Sequence, residues 1–178
     1  GNYAQQGMSD RALSLLEEAY GADSTNLTYA RALSAGYIEA GRMQDALHIN
    51  ERLSAADPED DDVRYRLIQL YARTGELKKG IQLATELQKR FQPMPEAYGQ
   101  LTKMKIQLLA LSKDSVAVGR EYRAWAALYP EDRRPYYDWI LHLFQTGGAK
   151  EAEKQLASDV RAGRISSGDA TALRVHKY

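Results

Sequence analysis

The sequence predicts an all-α fold, a solenoid of helix-turn-helix repeats, from three observations. Tyr3, Tyr37 and Tyr71 stand 34 residues apart, and Gly7, Gly41 and Gly75 keep the same step four residues later. Glycine makes up about 7% of an average sequence, so two further glycines on those offsets is roughly a 1 in 200 accident. Apolar and small residues recur at the same step: Ala12, Ala46 and Gly80; Leu13, Leu47 and Ile81; and, half a repeat away, Leu33, Leu67 and Leu101, with Leu53 and Leu87 extending the pattern.

Each period holds two amphipathic stretches of about a dozen residues, split at a glycine and closed by a polar segment such as Ala-Asp-Pro-Glu-Asp at 56–60. Residues 1–26 read as a partial repeat whose residues 1–7 are the tail of a first helix. Residues 27–60 and 61–94 are nearly regular repeats. In 95–132 the turn glycine expected near 109 is replaced by Leu-Leu-Ala-Leu-Ser-Lys-Asp-Ser, and realignment on Pro130 implies about four extra residues. These make either one added helical turn or a longer loop around Ser112 to Ser115. From Arg133 the register returns, with Trp139, Leu143, Gly147 and Ala152 on their columns in a repeat at 133–166. Residues 167–178 begin a further helix. Both ends fall inside repeats, so the expectation is a piece of a longer array.

These columns resemble the tetratricopeptide repeat: Leu33, Tyr37, Gly41, Ala46 and Pro58 fall on that pattern, as do Leu67, Tyr71, Gly75 and Gly80, with Pro93 one place late. The resemblance implies a right-handed α-solenoid whose first helices line a concave groove.

The chain has 178 residues, 44% of them hydrophobic, enough for a continuous solenoid core. Basic and acidic residues balance at 24 each, which argues against a general nucleic-acid or membrane-surface binder. There is no cysteine, hence no disulfide, thiolate nucleophile or cysteine-based zinc site. No run of 18 apolar residues is present, so this chain inserts no segment into a membrane.

Catalytic signals are missing. His48, His142 and His176 fall on different repeats without partners at triad or metal-ligand spacing, so they read as packing or surface residues. No catalytic residue, cofactor or metal is expected. Asn26-Leu27-Thr28 matches a glycosylation acceptor of little weight. Gly147-Gly148 reads as a turn, not a phosphate loop. The cluster Asp57, Glu59, Asp60, Asp61, Asp62 lacks the glycine and closing glutamate of a calcium loop and reads as helix capping.

Carrying the family's groove-facing positions across gives Arg31, Ala35 and Ile38, then Tyr65, Arg66, Gln69 and Arg73. The irregular repeat gives Gly99, Lys103, Ile106 and Gln107, and the last Tyr137, Leu141, Phe144 and Gln145. Arginine forks and rigid aromatic area suit a protein or peptide partner of acidic character. A chaperone-type carboxylate clamp is not expected, because Ala35 and Arg66 occupy its asparagine positions.

The resulting expectation is a protein-interaction scaffold that is not itself an enzyme. Two alternatives remain: an RNA-processing scaffold, because Tyr122, Trp125, Tyr129, Pro130 and Trp139 resemble the aromatic spacing of half-a-tetratricopeptide repeats, and an accessory array of an enzyme. The 34-residue step and zero net charge weigh against the first. A bias of 15 Arg over 9 Lys suggests a bacterial source. Family analogy then points to envelope secretion machinery such as exopolysaccharide export, and to the periplasm over the cytoplasm.

Overall fold

The computed structural model describes residues 2–175, with side chains from Ser9 onward. The side chain of Tyr3 and all of His176 lie outside the residues so described, and the helix break expected at Gly7 is absent, because α1 runs unbroken from Asn2 to Ala22. Every element among the described residues is helical. The chain divides into two compact units, residues 1–89 and 90–178.

The first unit holds α1 (Asn2–Ala22), α2 (Leu27–Glu39), α3 (Met43–Ala56), α4 (Asp61–Thr74) and all but the last residue of α5 (Leu77–Arg90). Local chemistry sets the boundaries. The Asn26 side chain accepts from the Thr28 and Tyr29 amides at 3.0 and 3.2 Å, satisfying free donors at the start of α2. Asp60 does the same for α4 through the Val63 amide at 3.2 Å, with Asp61 and Asp62 in the first turn. The capping expected of the acidic cluster is therefore present. Gly41 and Gly75 adopt φ of +72° and +81°, the left-handed geometry that lets one helix end and the next turn back.

The apolar columns form the core: Leu33, Leu47, Leu53 and Leu67 are buried, and Ala46 is fully enclosed. Ala12, on the same small-residue column, is instead exposed and borders a cleft between α1 and α2. One turn beyond Ala46, the buried Asn50 donates to Ser34 Oγ and to the Ala46 carbonyl, both at 2.7 Å. Its Oδ1 accepts from Arg66 at 3.3 Å, so α2, α3 and α4 share one satisfied polar centre.

The tyrosine column has a physical cause. Tyr37 donates to Glu17 at 2.9 Å and Tyr71 to Glu51 at 3.0 Å, each bond reaching back 20 residues. A cation completes each: Arg42 lies 4.7 Å from the Tyr37 ring centre and 2.9 Å from Glu17, and Lys79 lies 6.0 Å from the Tyr71 ring and 3.7 Å from Glu51. Burial, then the Glu17 bond, pushes the Tyr37 phenol up to about 12.

The second unit holds α6 (Pro95–Leu111), α7 (Ser115–Leu128), α8 (Arg134–Gln145), α9 (Ala149–Arg161) and α10 (Ser167–Arg174). The insertion in the irregular repeat is an added helical turn: α6 has 17 residues, against 13 in α2 and 14 in α4. Where the other hairpins use glycine, Lys113 takes φ of +60°. Trp125 of α7 is fully buried; a Cβ on Gly99 of α6 would come within 2.8 Å of its ring, so only glycine admits this approach. Arg134 covers the indole at 5.3 Å, and its side chain is fixed by three bonds to Asp132 and one to Glu96. Ile140, Leu143, Phe144, Leu156 and Ile165 form the core under α8 to α10.

Replacing Ala46 by Leu should overpack the closest helix approach and lower stability by about 1–3 kcal/mol, read as a fall in melting temperature. Replacing Lys113 by Gly should raise stability by about 0.5–1 kcal/mol, the left-handed penalty less the extra chain entropy of glycine; urea titration of the two proteins checks it.

Candidate functional site

The residues expected to face a partner are described unit by unit. In the first unit Arg31, Ala35, Ile38 and Glu39 of α2 and Arg66 of α4 surround a depression of about 350 Å³. Arg31 is exposed and reaches Asp60 at 2.8 Å, and this bond holds the Asp60 carboxyl below the usual carboxylate range. Arg66 is half-buried and positioned by Asn50. Gln69 and Arg73 are exposed three and seven residues further along α4, on the same stripe as Arg66. Arg73 touches the Met43 sulfur at 3.8 Å. Tyr65 is half-buried and outside the depression; burial, then Asp61, raises its phenol. The structure thus brings Arg31 and Arg66 together on an apolar floor and leaves Tyr65 aside.

In the second unit Lys103 of α6 meets Asp138 of α8 at 3.4 Å. Tyr137 of α8 donates to Asp169 of α10 at 2.6 Å, and Asp169 also accepts from Ser166. Gln145 and Gln107 are exposed, and Leu141 is half-buried against the core. Three carried-over positions need correction. Phe144 is 2% exposed and Ile106 6%, and Gly99 lies under Trp125, so all three serve packing. The apolar stripe of α8 at Ile140, Leu143 and Phe144 faces its own core and offers no aromatic surface.

Asn50 behind Arg66 and Asp169 under Tyr137 were not singled out in the sequence, and Asp60, read there as a helix cap, also pairs with Arg31. The Glu17 and Glu51 pair was readable, because they too stand 34 residues apart.

His48 is exposed. His142 is half-buried, stacked 5.8 Å from Trp139 with 15° between the planes, and burial lowers its pKa. Among the described residues no three His, Cys, Asp or Glu are grouped to hold a metal ion, and no helix is long and apolar enough to cross a membrane. Of the aromatic set that resembled an RNA scaffold, Trp125 and Tyr122 are buried, at 0% and 8% exposure, and Tyr129 and Trp139 are half-buried.

Paired helices turning on left-handed glycines, stapled by a repeating Tyr-Glu bond, define a helical-repeat protein. Residues 37–103 match the tetratricopeptide repeat family. No curated protein matches the chain significantly in sequence. Among solved structures, MamA (MSR-1) is similar over 99% of this chain and 93% of its own, with TM-score 0.61 and 16% identity. A tetratricopeptide repeat protein from Parabacteroides merdae ATCC 43184 is similar over 96% of this chain and 65% of its own, with TM-score 0.59 and 18% identity. YrrB, a tetratricopeptide-repeat protein with an unusual peptide-binding site, is similar over 98% of this chain and 87% of its own, with TM-score 0.60 and 16% identity. The fold of the described residues is thus that of tetratricopeptide-repeat structures, and residues 37–103 carry the repeat pattern itself.

Since the His142 pKa is lowered in the fold, the unfolded chain takes up that proton first. Its stabilising contribution is complete above the ordinary value of about 6.5 and is lost as pH falls through the depressed value. Thermal melts between neutral and mildly acidic pH should therefore show a smaller loss of stability in His142→Phe than in the parent.

Proposed function

We propose that this chain is a protein-interaction scaffold that receives an acidic polypeptide segment on the first-helix faces of its repeats. The observation that carries the reading is the depression bordered by Arg31, Arg66 and Glu39, where two guanidiniums, that of Arg31 also paired with Asp60, flank the apolar Ala35 and Ile38. Arginine binds carboxylates through paired, charge-assisted donors, and apolar floor supplies the contact area between them. Positioning supports it as well: Arg66 is held by a buried amide, so little side-chain entropy is lost on binding. Gln69 and Arg73 extend the same stripe, and Lys103, Tyr137, Leu141 and Gln145 are the corresponding contacts proposed for the second unit. Repeat boundaries at 27–60, 61–94, 95–132 and 133–166 belong to this proposal.

The proposal extends to bacterial envelope assembly, with exopolysaccharide export as the pathway and the periplasm as the compartment. Its support is the arginine bias, the absence of cysteine and family analogy. Cross-linking in cells should then recover envelope export proteins; recovery of RNA-processing proteins would replace this reading.

The groove itself is tested with a short fluorescein-labelled peptide of Glu, Leu and Tyr. Arg66→Glu with Arg73→Glu should leave helicity intact and weaken its binding by about tenfold or more, read by fluorescence anisotropy. Unchanged affinity would move the contact to another face.

A further inference from the structure

A second concave feature lies within the second unit, away from the first-helix positions just discussed. A cavity of about 210 Å³ opens between α7 and α9 and is lined on a third side by α8. Tyr122, Tyr136 and Trp139 form its aromatic walls, Arg123 and Arg164 stand among its lining residues, and Asp159 lies at its base.

The walls are held in place. Tyr122 and Trp139 pack with ring centres 5.5 Å apart, and Trp139 stacks on His142 from its other side. A Cβ at Gly119 would press on the Trp139 ring at 3.1 Å, so a bare backbone fixes the indole from α7. Asp159, 1% exposed, accepts from Arg164 Nε at 2.9 Å and from Gln155 at 3.3 Å. That bond seats the Arg164 guanidinium 5.3 Å from the Tyr136 ring centre while 38% of its side chain stays accessible. Arg123 is exposed and pairs with no carboxylate among the described residues. One buried carboxylate against two guanidiniums leaves this cavity with a net positive charge.

The cavity is smaller than the roughly 300 Å³ at which small-molecule sites begin, so its natural occupant is one side chain of a larger partner. Aromatic walls favour a flat ring, which gains offset or edge contacts beyond its buried area. A cationic side chain is disfavoured by Arg123 and Arg164, and Asp159 already has its donors. Carboxylates beside the ring would meet the open guanidinium donors.

We infer that this α7–α9 cavity is a docking site for an aromatic side chain flanked by acidic residues in a partner polypeptide. An anchoring ring in a preformed aromatic pocket, with charge-assisted contacts at its rim, is the arrangement from which interface hot spots are built. The site is independent of the Arg31–Arg66 groove.

Nuclear magnetic resonance titration tests it, because the two tryptophan indole signals separate a fully buried probe, Trp125, from one in the cavity wall, Trp139. The peptide Ac-Asp-Glu-Phe-Glu-Asp-amide should shift the Trp139 indole signal and leave that of Trp125 in place. Replacing its Phe by Ala should weaken binding by about tenfold. Replacing its acids by Lys should abolish binding. In the protein, Arg123→Glu alters an exposed side chain and should keep the parent circular dichroism spectrum while weakening the Phe peptide by about fivefold or more. Arg66→Glu with Arg73→Glu should leave this titration unchanged. The inference is overturned by equal affinity for the Phe and Ala peptides, by full affinity in Arg123→Glu, by shifts that bypass Trp139, or by no binding of the Phe peptide at millimolar concentration.

Discussion

The structure depends on how closely two helices can approach at the small-residue column. Ala46 and Ala152 are fully enclosed and Gly80 is buried; a larger side chain at any of them would push its helix pair apart. A pair of amphipathic helices buries only part of its apolar surface by itself, and the rest must be covered by the next pair. The apolar columns can meet across that second contact only if the first is tight. Leu33, Leu53, Leu67 and Leu87, each nearly or fully buried, therefore follow from the small residues as much as from their own hydrophobicity.

Apolar packing alone leaves register loosely determined, and the polar contacts supply what it lacks. Two bonds of equal span, Tyr37 to Glu17 and Tyr71 to Glu51, are satisfied at one setting of the helices and would be lost on a slip by one turn. Asn50 adds a buried constraint, because moving α3 against α2 or α4 would strand its amide. The same bond then orients Arg66. An interior requirement for satisfied polar groups thus becomes a surface property, a guanidinium held in one place.

Most of this fold was legible because it is periodic. Gly41, Gly75 and Gly147 could be assigned to turns since only a left-handed position explains glycine at that recurrence, and all three have positive φ. Departures from periodicity were harder. The extra residues before Ser115 could be read as loop or helix, and it is Lys113, accepting the left-handed position, that ends an α6 one turn longer. Groove positions were the least legible. Ile106 and Phe144 hold first-helix positions of the kind that face solvent in a regular repeat, but here they complete a core whose aromatic content, Trp125 above all, is particular to the second unit. Column position states which face a residue is on only while neighbouring helices keep the standard spacing.

That limit bears on where recognition chemistry can lie. At 105, one step beyond Tyr71, the tyrosine column carries Lys105, which meets Glu121 at 2.5 Å. The staple thus joins α6 to α7 in place of reaching back 20 residues. Once the second unit fastens its helices by other means, its aromatic residues are released from the repeat pattern. Tyr122 of α7 and Tyr136 and Trp139 of α8 then gather around one cavity. A regular array offers the same modest surface over and over. The irregular stretch is where a site unlike its neighbours can be built, since a pocket with two cations and three rings sets Tyr122 and Tyr136, which no column requires, beside Trp139, which stands on one.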